Sequence, residues 1–190
     1  MRKDEDMDRI AVFFAEGFEE IEALTVVDLC RRAGITTDMV SVTGSKTVTG
    51  SHGISITADR LLEEVDFDAL SMMVLPGGMP GTKNLEACAP LMKQLDGFHA
   101  AEKYISAICA APGIFGRRGY LQGRPACSYP TVEGELAGAD VMHEPVTLAG
   151  HITTSRGLGT AIPFALAIIE RLLGREKSEE IAKSIVFTQE

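Results

Sequence analysis

The sequence predicts an α/β fold: a three-layer sandwich in which a mostly parallel sheet has helices on both faces and a small edge hairpin. Three observations predict it. The apolar runs at 10–15, 70–75 and 104–108 have strand length and lack polar alternation, as strands buried on both faces require. Helical stripes separate those runs, so the order is strand, helix, strand. Such repeats, joined by right-handed crossovers, build one parallel sheet. At 190 residues the chain fits a single domain, 1–190, with residues 1–8 as a charged leader.

Each element has its own local reason. Residues 10–15 form the first strand. Residues 19–33 follow as a helix, with apolar Ala23, Val26, Val27, Cys30 and Ala33 on one stripe. Its first turn is acidic, its last turn holds Arg31 and Arg32, and Gly34 stops it. Residues 37–42 give a second strand. Residues 44–57 alternate Gly, Ser, Thr and Val, with Gly50 and Gly53 as punctuation, which predicts the edge hairpin.

The strand at 70–75 ends in Pro-Gly-Gly-Met-Pro-Gly, and 85–103 is helical around Pro90. The strand at 104–108 turns at Cys109 into a helix opened by Pro112. After a loop at 119–123, residues 125–129 make a short strand that stops at Pro130. Residues 146–154 form a hairpin interrupted at Gly150-His151, 160–173 is a strongly apolar helix ended by Gly174, and a last helix covers about 177–185.

Composition narrows the function classes. A net charge of −9, without clustered Lys and Arg, opposes binding to nucleic acid. No apolar segment reaches membrane-span length, and no apolar run behind the N-terminus resembles a secretion signal. Cys30, Cys88, Cys109 and Cys127 form no C-x-x-C pair in a domain too large to need disulfide staples, which points to a reducing, cytoplasmic setting. His52, His99, His143 and His151 have no ligand-like spacing, so no metal site is indicated.

Ligands of such sheets sit at the carboxyl ends of the strands. Cys109 stands there, at a strand-to-helix elbow, flanked by Ala107, Ala110 and Ala111. The N-terminus of the following helix is expected to favour the thiolate and lower its pKa from about 8.5. Cys30, on its apolar stripe, reads as packing only. Gly77 and Gly78 follow a buried strand, where N–H groups could approach a ligand as an oxyanion site requires.

Glu16, Glu19, Glu20 and Glu22 crowd the end of the first strand. The helix dipole explains most of them, and one could reach the thiol as a protonated acid that shares its proton with sulfur. Gly157-Leu158-Gly159 lacks a third glycine at Ile162, which argues against a dinucleotide loop. His143 and Glu144 read as a solvated loop, and Cys127 as strand packing, with resolution of an oxidised Cys109 as the alternative.

Glu19-Glu20-Ile21-Glu22, Leu75-Pro76-Gly77-Gly78, Ala107-Ile108-Cys109-Ala110-Ala111-Pro112 and Thr154-Ser155-Arg156-Gly157-Leu158-Gly159-Thr160 together resemble the ThiJ/PfpI superfamily, in its DJ-one-like branch. The resemblance implies a flavodoxin-like fold, Cys109 as nucleophile, Glu22 as its acid partner, and substrate contacts at Gly77, Gly78, Ala110, Tyr129 and Arg32. It also implies a homodimer and cofactor-free handling of reactive aldehydes or dicarbonyls in the manner of glyoxalases and deglycases. The alternative it implies is a redox-sensing protective protein or chaperone whose cysteine is oxidised to sulfinate without turnover.

Three departures stand out. Ala110 replaces the histidine that peptidase-like members place after the nucleophile, which disfavours proteolysis. Tyr129 stands before Pro130 where a catalytic histidine often stands, and a phenol of pKa near 10 cannot serve as a base at pH 7. His52 replaces an arginine often used beside the cysteine, leaving Arg32 as the expected cation.

Overall fold

The computed structural model describes residues 8–188; all of the 1–8 leader except Asp8 lies outside the described residues. A seven-stranded sheet has the order β10-β11-β7-β6-β1-β2-β5. Its strands are β1 (Arg9–Phe14), β2 (Thr36–Ser41), β5 (Arg60–Leu61), β6 (Met72–Leu75), β7 (Tyr104–Ile108), β10 (Val146–Ala149) and β11 (Ile152–Ser155). All pairings are parallel except that of β10 with β11. The inner five strands, β2-β1-β6-β7-β11, follow the flavodoxin-like order 2-1-3-4-5.

The first apolar run is explained by burial on both sides. Ile10, Val12 and Phe14 of β1 face α1 (Glu20–Arg32), α5 (Ala161–Leu173) and α6 (Arg175–Ser184), where Val26, Cys30, Phe164, Ile168 and Ile181 pack. Ala11 and Phe13 face α2 (Gly81–Ala87), α3 (Ala89–Ala100) and α4 (Pro112–Arg117), against Leu85, Leu91, Leu95 and Phe115. Phe13, Phe14, Phe115 and Phe164 are fully buried, each contributing about 1.5–3 kcal/mol of transfer free energy.

Several boundaries differ from those expected. The helical region at 85–103 starts earlier and splits at Cys88, because Pro90 supplies no N–H and fits only the first turn of a new helix. The hairpin at 44–57 forms as β3 (Thr47–Thr49) and β4 (Ser55–Thr57), a separate two-stranded sheet, while β5 takes the position beside β2. The strand at 125–129 shortens to β8 (Pro125–Ala126), paired with β9 (Asp140–Val141) outside the main sheet. Cys127 onward spends its hydrogen bonds elsewhere: Cys127 N–H donates to Thr154 Oγ1 at 3.0 Å.

Candidate active site

Register brings the site together. Leu75 of β6 pairs with Ala107 of β7, so two residues further on Gly77 lies beside Cys109; Ser155 of β11 pairs with Ile108 on the other side. The acid-rich start of α1 follows β1, and the switch point between β1 and β6 opens the crevice.

Cys109 is held in the left-handed region, φ 64°, a conformation that costs a non-glycine residue about 1–2 kcal/mol. Neighbouring backbone over-determines it. Cys109 N–H donates to Ser155 O at 3.0 Å, and Cys109 O accepts from Tyr129 N–H at 2.8 Å. The half-buried thiol is thereby turned away from the strand axis, toward Glu22 and the loop after β6.

Glu22 lies on the inward face of α1 and is only 1% exposed. Its Oε2 accepts from Gly77 N–H at 3.0 Å, and its carboxyl hydrogen-bonds the Cys109 side chain. Burial pushes this carboxyl up to about 7; the bonds to Cys109 and Gly77 oppose the rise, and the charge of Glu19 adds to it. Burial also pushes the Cys109 thiol up to about 12, reinforced by the Glu22 charge and hydrogen bond and opposed by N–H groups of Ala110 and Gly78. The two groups titrate as a pair: one proton leaves near neutrality and the second is held tightly.

The expected lowering of the thiol by the helix is therefore corrected. Helix α4 has six residues, and desolvation plus an adjacent carboxylate outweighs the backbone donors. The oxyanion role expected of Gly77 is corrected too, since its N–H is already given to Glu22. Gly77 is needed for space: an added Cβ would lie 2.5 Å from Cys109 Cβ and 2.6 Å from Glu22 Oε2. Gly78, at φ 96°, combines a left-handed backbone with close approach to Gly17 and Glu19, and its N–H reaches the Cys109 sulfur.

Ala110 is buried, and its N–H joins that of Gly78 at the sulfur. Tyr129 is 47% exposed, its ring beside Gly157. Within its own chain Arg32 does not reach Cys109. It lies in the last turn of α1, ten residues and about 15 Å of helix from Glu22, paired with Asp28 at 3.0 Å. His52 faces Glu19 and Glu20 rather than Cys109.

Sequence reasoning missed the part played by Gly157. A Cβ there would touch Tyr129 Cδ2 at 3.4 Å with Glu22 Oε1 at 3.9 Å, so bare backbone separates the phenol from the acid. Its only signal was position after a strand. Cys127 is fully buried with Sγ 3.7 Å from Thr154 Oγ1, in keeping with packing. His143 is a solvated partner of Glu133 at 3.3 Å, and Glu133 also pairs with Arg156.

This arrangement of elbow cysteine and buried acid lies within a longer match. Residues 8–171 match the model of the DJ-1/PfpI family. The chain belongs to this family. Protein DJ-1 homolog B of Arabidopsis thaliana is 36% identical over 94% of the chain, which spans only 41% of that longer relative. The glutathione-independent glyoxalase DJR-1.2 of Caenorhabditis elegans is 32% identical over 92% of the chain and 93% of its own length. Among solved structures, oxidized Toxoplasma gondii DJ-1 superposes with a TM-score of 0.92 at 33% identity, covering 96% of this chain and all of that one. Family membership and the sheet order agree on the flavodoxin-like fold.

Proposed function

We propose that this DJ-1/PfpI member acts on reactive dicarbonyls such as methylglyoxal through Cys109 and Glu22, without a cofactor. The observation that supports it most is the hydrogen-bonded thiol and carboxyl, raised together so that one proton is shared near pH 7. Attack uses the tautomer of the singly charged pair in which the proton has moved from sulfur to Glu22. The deep burial of Glu22 and the N–H groups of Ala110 and Gly78, which oppose the rise of the thiol, support that transfer.

The thiolate adds to the aldehyde carbon while Glu22 protonates the new alkoxide, giving a hemithioacetal. The Ala110 and Gly78 N–H groups, released from the neutralised sulfur, face the neighbouring oxygen. The Glu22 carboxylate next takes the proton from the former aldehyde carbon and returns it at the adjacent carbon, which leaves a 2-hydroxy thioester. Water cleaves that ester to the hydroxy acid and restores the thiol. The redox state of the protein is unchanged.

The relative named a glyoxalase supports the substrate class. The test is methylglyoxal loss and lactate formation with Cys109→Ser and Glu22→Gln; undiminished turnover in both variants refutes the scheme.

One observation favours a second reading, oxidation of Cys109 without turnover: the group at 129 is a half-exposed phenol, which cannot relay protons as imidazole would. Mild peroxide followed by intact-mass analysis would then add two oxygens to wild type and none to Cys109→Ser. The proposal includes a homodimer, for which the outward Ile21 and the hairpin's Ile54, 50% and 53% exposed, offer apolar surface.

A further inference from the structure

At the end of the sheet opposite Cys109, two histidines distant in sequence meet. His99 stands in the last turn of α3, and His151 in the turn that joins β10 to β11. His99 Nδ1 and His151 Nε2 are 2.9 Å apart, a hydrogen-bond distance. His151 is 7% exposed; His99 is half-buried, its ring stacked on Tyr120 with centroids 4.1 Å apart.

Backbone bonds hold the His151 side of this contact. Ile105 N–H donates to His151 O at 3.1 Å, Arg171 Nη1 to Gly150 O at 2.7 Å, and Arg124 Nη1 to Ala149 O at 3.4 Å. The His99 ring meets the turn through the imidazole bond itself, which makes that bond the joint between α3 and the sheet edge.

A bond between two imidazoles needs one ring nitrogen to donate and the other to accept. Two neutral rings meet that need, and so does a pair carrying one extra proton. With two extra protons, both facing nitrogens carry hydrogen, no lone pair remains between them, and two positive charges lie side by side. The contact is closed in the first two charge states and open in the third.

The surrounding charges do not offset that third state. Asp96, one turn back on α3, is bound to Arg118 and Tyr120. Glu102 follows α3, Arg124 precedes β8, and Arg171 projects from α5 over the Tyr104 ring. Lys103 turns away to Phe67 O and Asp68 O. Burial, then the Arg124 charge, holds His99 below the ordinary histidine range against Asp96 and Glu102. Burial, then the charges of His99 and Arg124, does the same for His151, opposed by Glu102 and aided by Arg171. Lowered values mean that the opened contact binds protons more tightly than the closed one. Closure is therefore complete above about pH 6.5 and is lost as pH falls below it.

We propose that His99 and His151 are an acid-operated latch, which holds the β10–β11 turn against the end of α3 while one of the two facing ring nitrogens lacks a proton and releases it when both carry one. The latch acts on the fold and is separate from the Cys109–Glu22 pair.

The experiment is amide hydrogen exchange of the full chain, read by mass spectrometry at about pH 7.5 and about pH 5.5, with each rate divided by the intrinsic rate at that pH. In the wild type the opening constant of residues 146–152 should rise at least about tenfold on acidification. In the double variant His99→Gln, His151→Gln, whose amides can bond each other without titrating, it should change less than about twofold. Glu22 titrates in both proteins, so its share cancels. Circular dichroism checks the fold of the variant, and the wild type gives a second reading by itself: nitrogen-15 resonances of the imidazoles should show one facing nitrogen unprotonated above about pH 6.5 and the second proton arriving together with the faster exchange. No rise in the wild type, an equal rise in both proteins, or two protonated facing nitrogens with exchange still slow overturns the proposal.

Discussion

Glu22→Gln tests the buried pair through stability rather than activity. Gln matches Glu in shape, can still accept from Gly77 N–H, and carries no titratable proton. In the wild type the folded-state pKa is raised from 4.5 to about 7 by burial. A raised folded-state value means that the folded protein binds this proton more tightly than the unfolded chain does. The stability it contributes is present in full below about pH 4.5 and is lost as pH rises through about 7.

At about 1.36 kcal/mol for each tenfold change in proton affinity, the rise from 4.5 to about 7 corresponds to about 3 kcal/mol over the whole range, of which roughly 2–3 kcal/mol falls between pH 5 and pH 8. The variant lacks that loss. Urea unfolding of both proteins at pH 5 and pH 8 should show Glu22→Gln gaining about 2–3 kcal/mol on the wild type across the interval, while turnover falls. Apart from Cys109, whose thiol the Glu22 charge and hydrogen bond help to raise, the other titrating groups are common to the two proteins and cancel; a Cys109→Ser background in both removes that exception. A constant difference at both pH values, or a variant that loses ground at pH 8, refutes the raised carboxyl and the shared proton with it.

Gly77→Ala should cost about 1–3 kcal/mol in unfolding free energy and reduce dicarbonyl turnover at least tenfold, because the new methyl meets both Cys109 Cβ and Glu22 Oε2. Arg32→Ala should leave turnover within twofold and alter stability by about 0.5 kcal/mol or less, as expected of an exposed pair with Asp28; a marked loss of activity would return Arg32 to the site. Phe164→Ala, at a fully buried position of α5, should lower stability by about 3–5 kcal/mol in the same denaturant assay, with the remaining turnover per folded molecule unchanged.

The elements easiest to read were those in which neighbouring residues share one physical constraint. Residues 10–15 could be identified because both sheet faces bury them, so alternate side chains enter two different cores. Helix α1 announced itself through its stripe, its acidic first turn and Gly34 beyond it. The strand expected at 125–129 was harder, since its side-chain pattern looks apolar while its backbone partner is Thr154, 27 residues away.

Cys109 was legible for the same local reason: a strand, a single sharp turn and Pro112 are contiguous in the chain. Glu22 was not distinguishable from Glu16, Glu19 and Glu20 by spacing, because all four suit a helix N-terminus equally. Packing separates them. Glu22 points inward to Gly77 and Cys109, whereas Glu20 and Glu19 turn toward the hairpin and His52.

By itself, then, the sequence determined the layered α/β architecture and the elbow at Cys109, since burial periodicity and turn chemistry act over a few neighbouring residues. Only the tertiary structure decided which acid meets the thiol, that the Gly77 N–H serves that acid and not an oxyanion, that Arg32 lies a helix length away, and that His52 joins Glu19 and Glu20. Those outcomes depend on strand register, helix rotation and the docking of a hairpin, and each is set by contacts between residues about 30 to 90 positions apart.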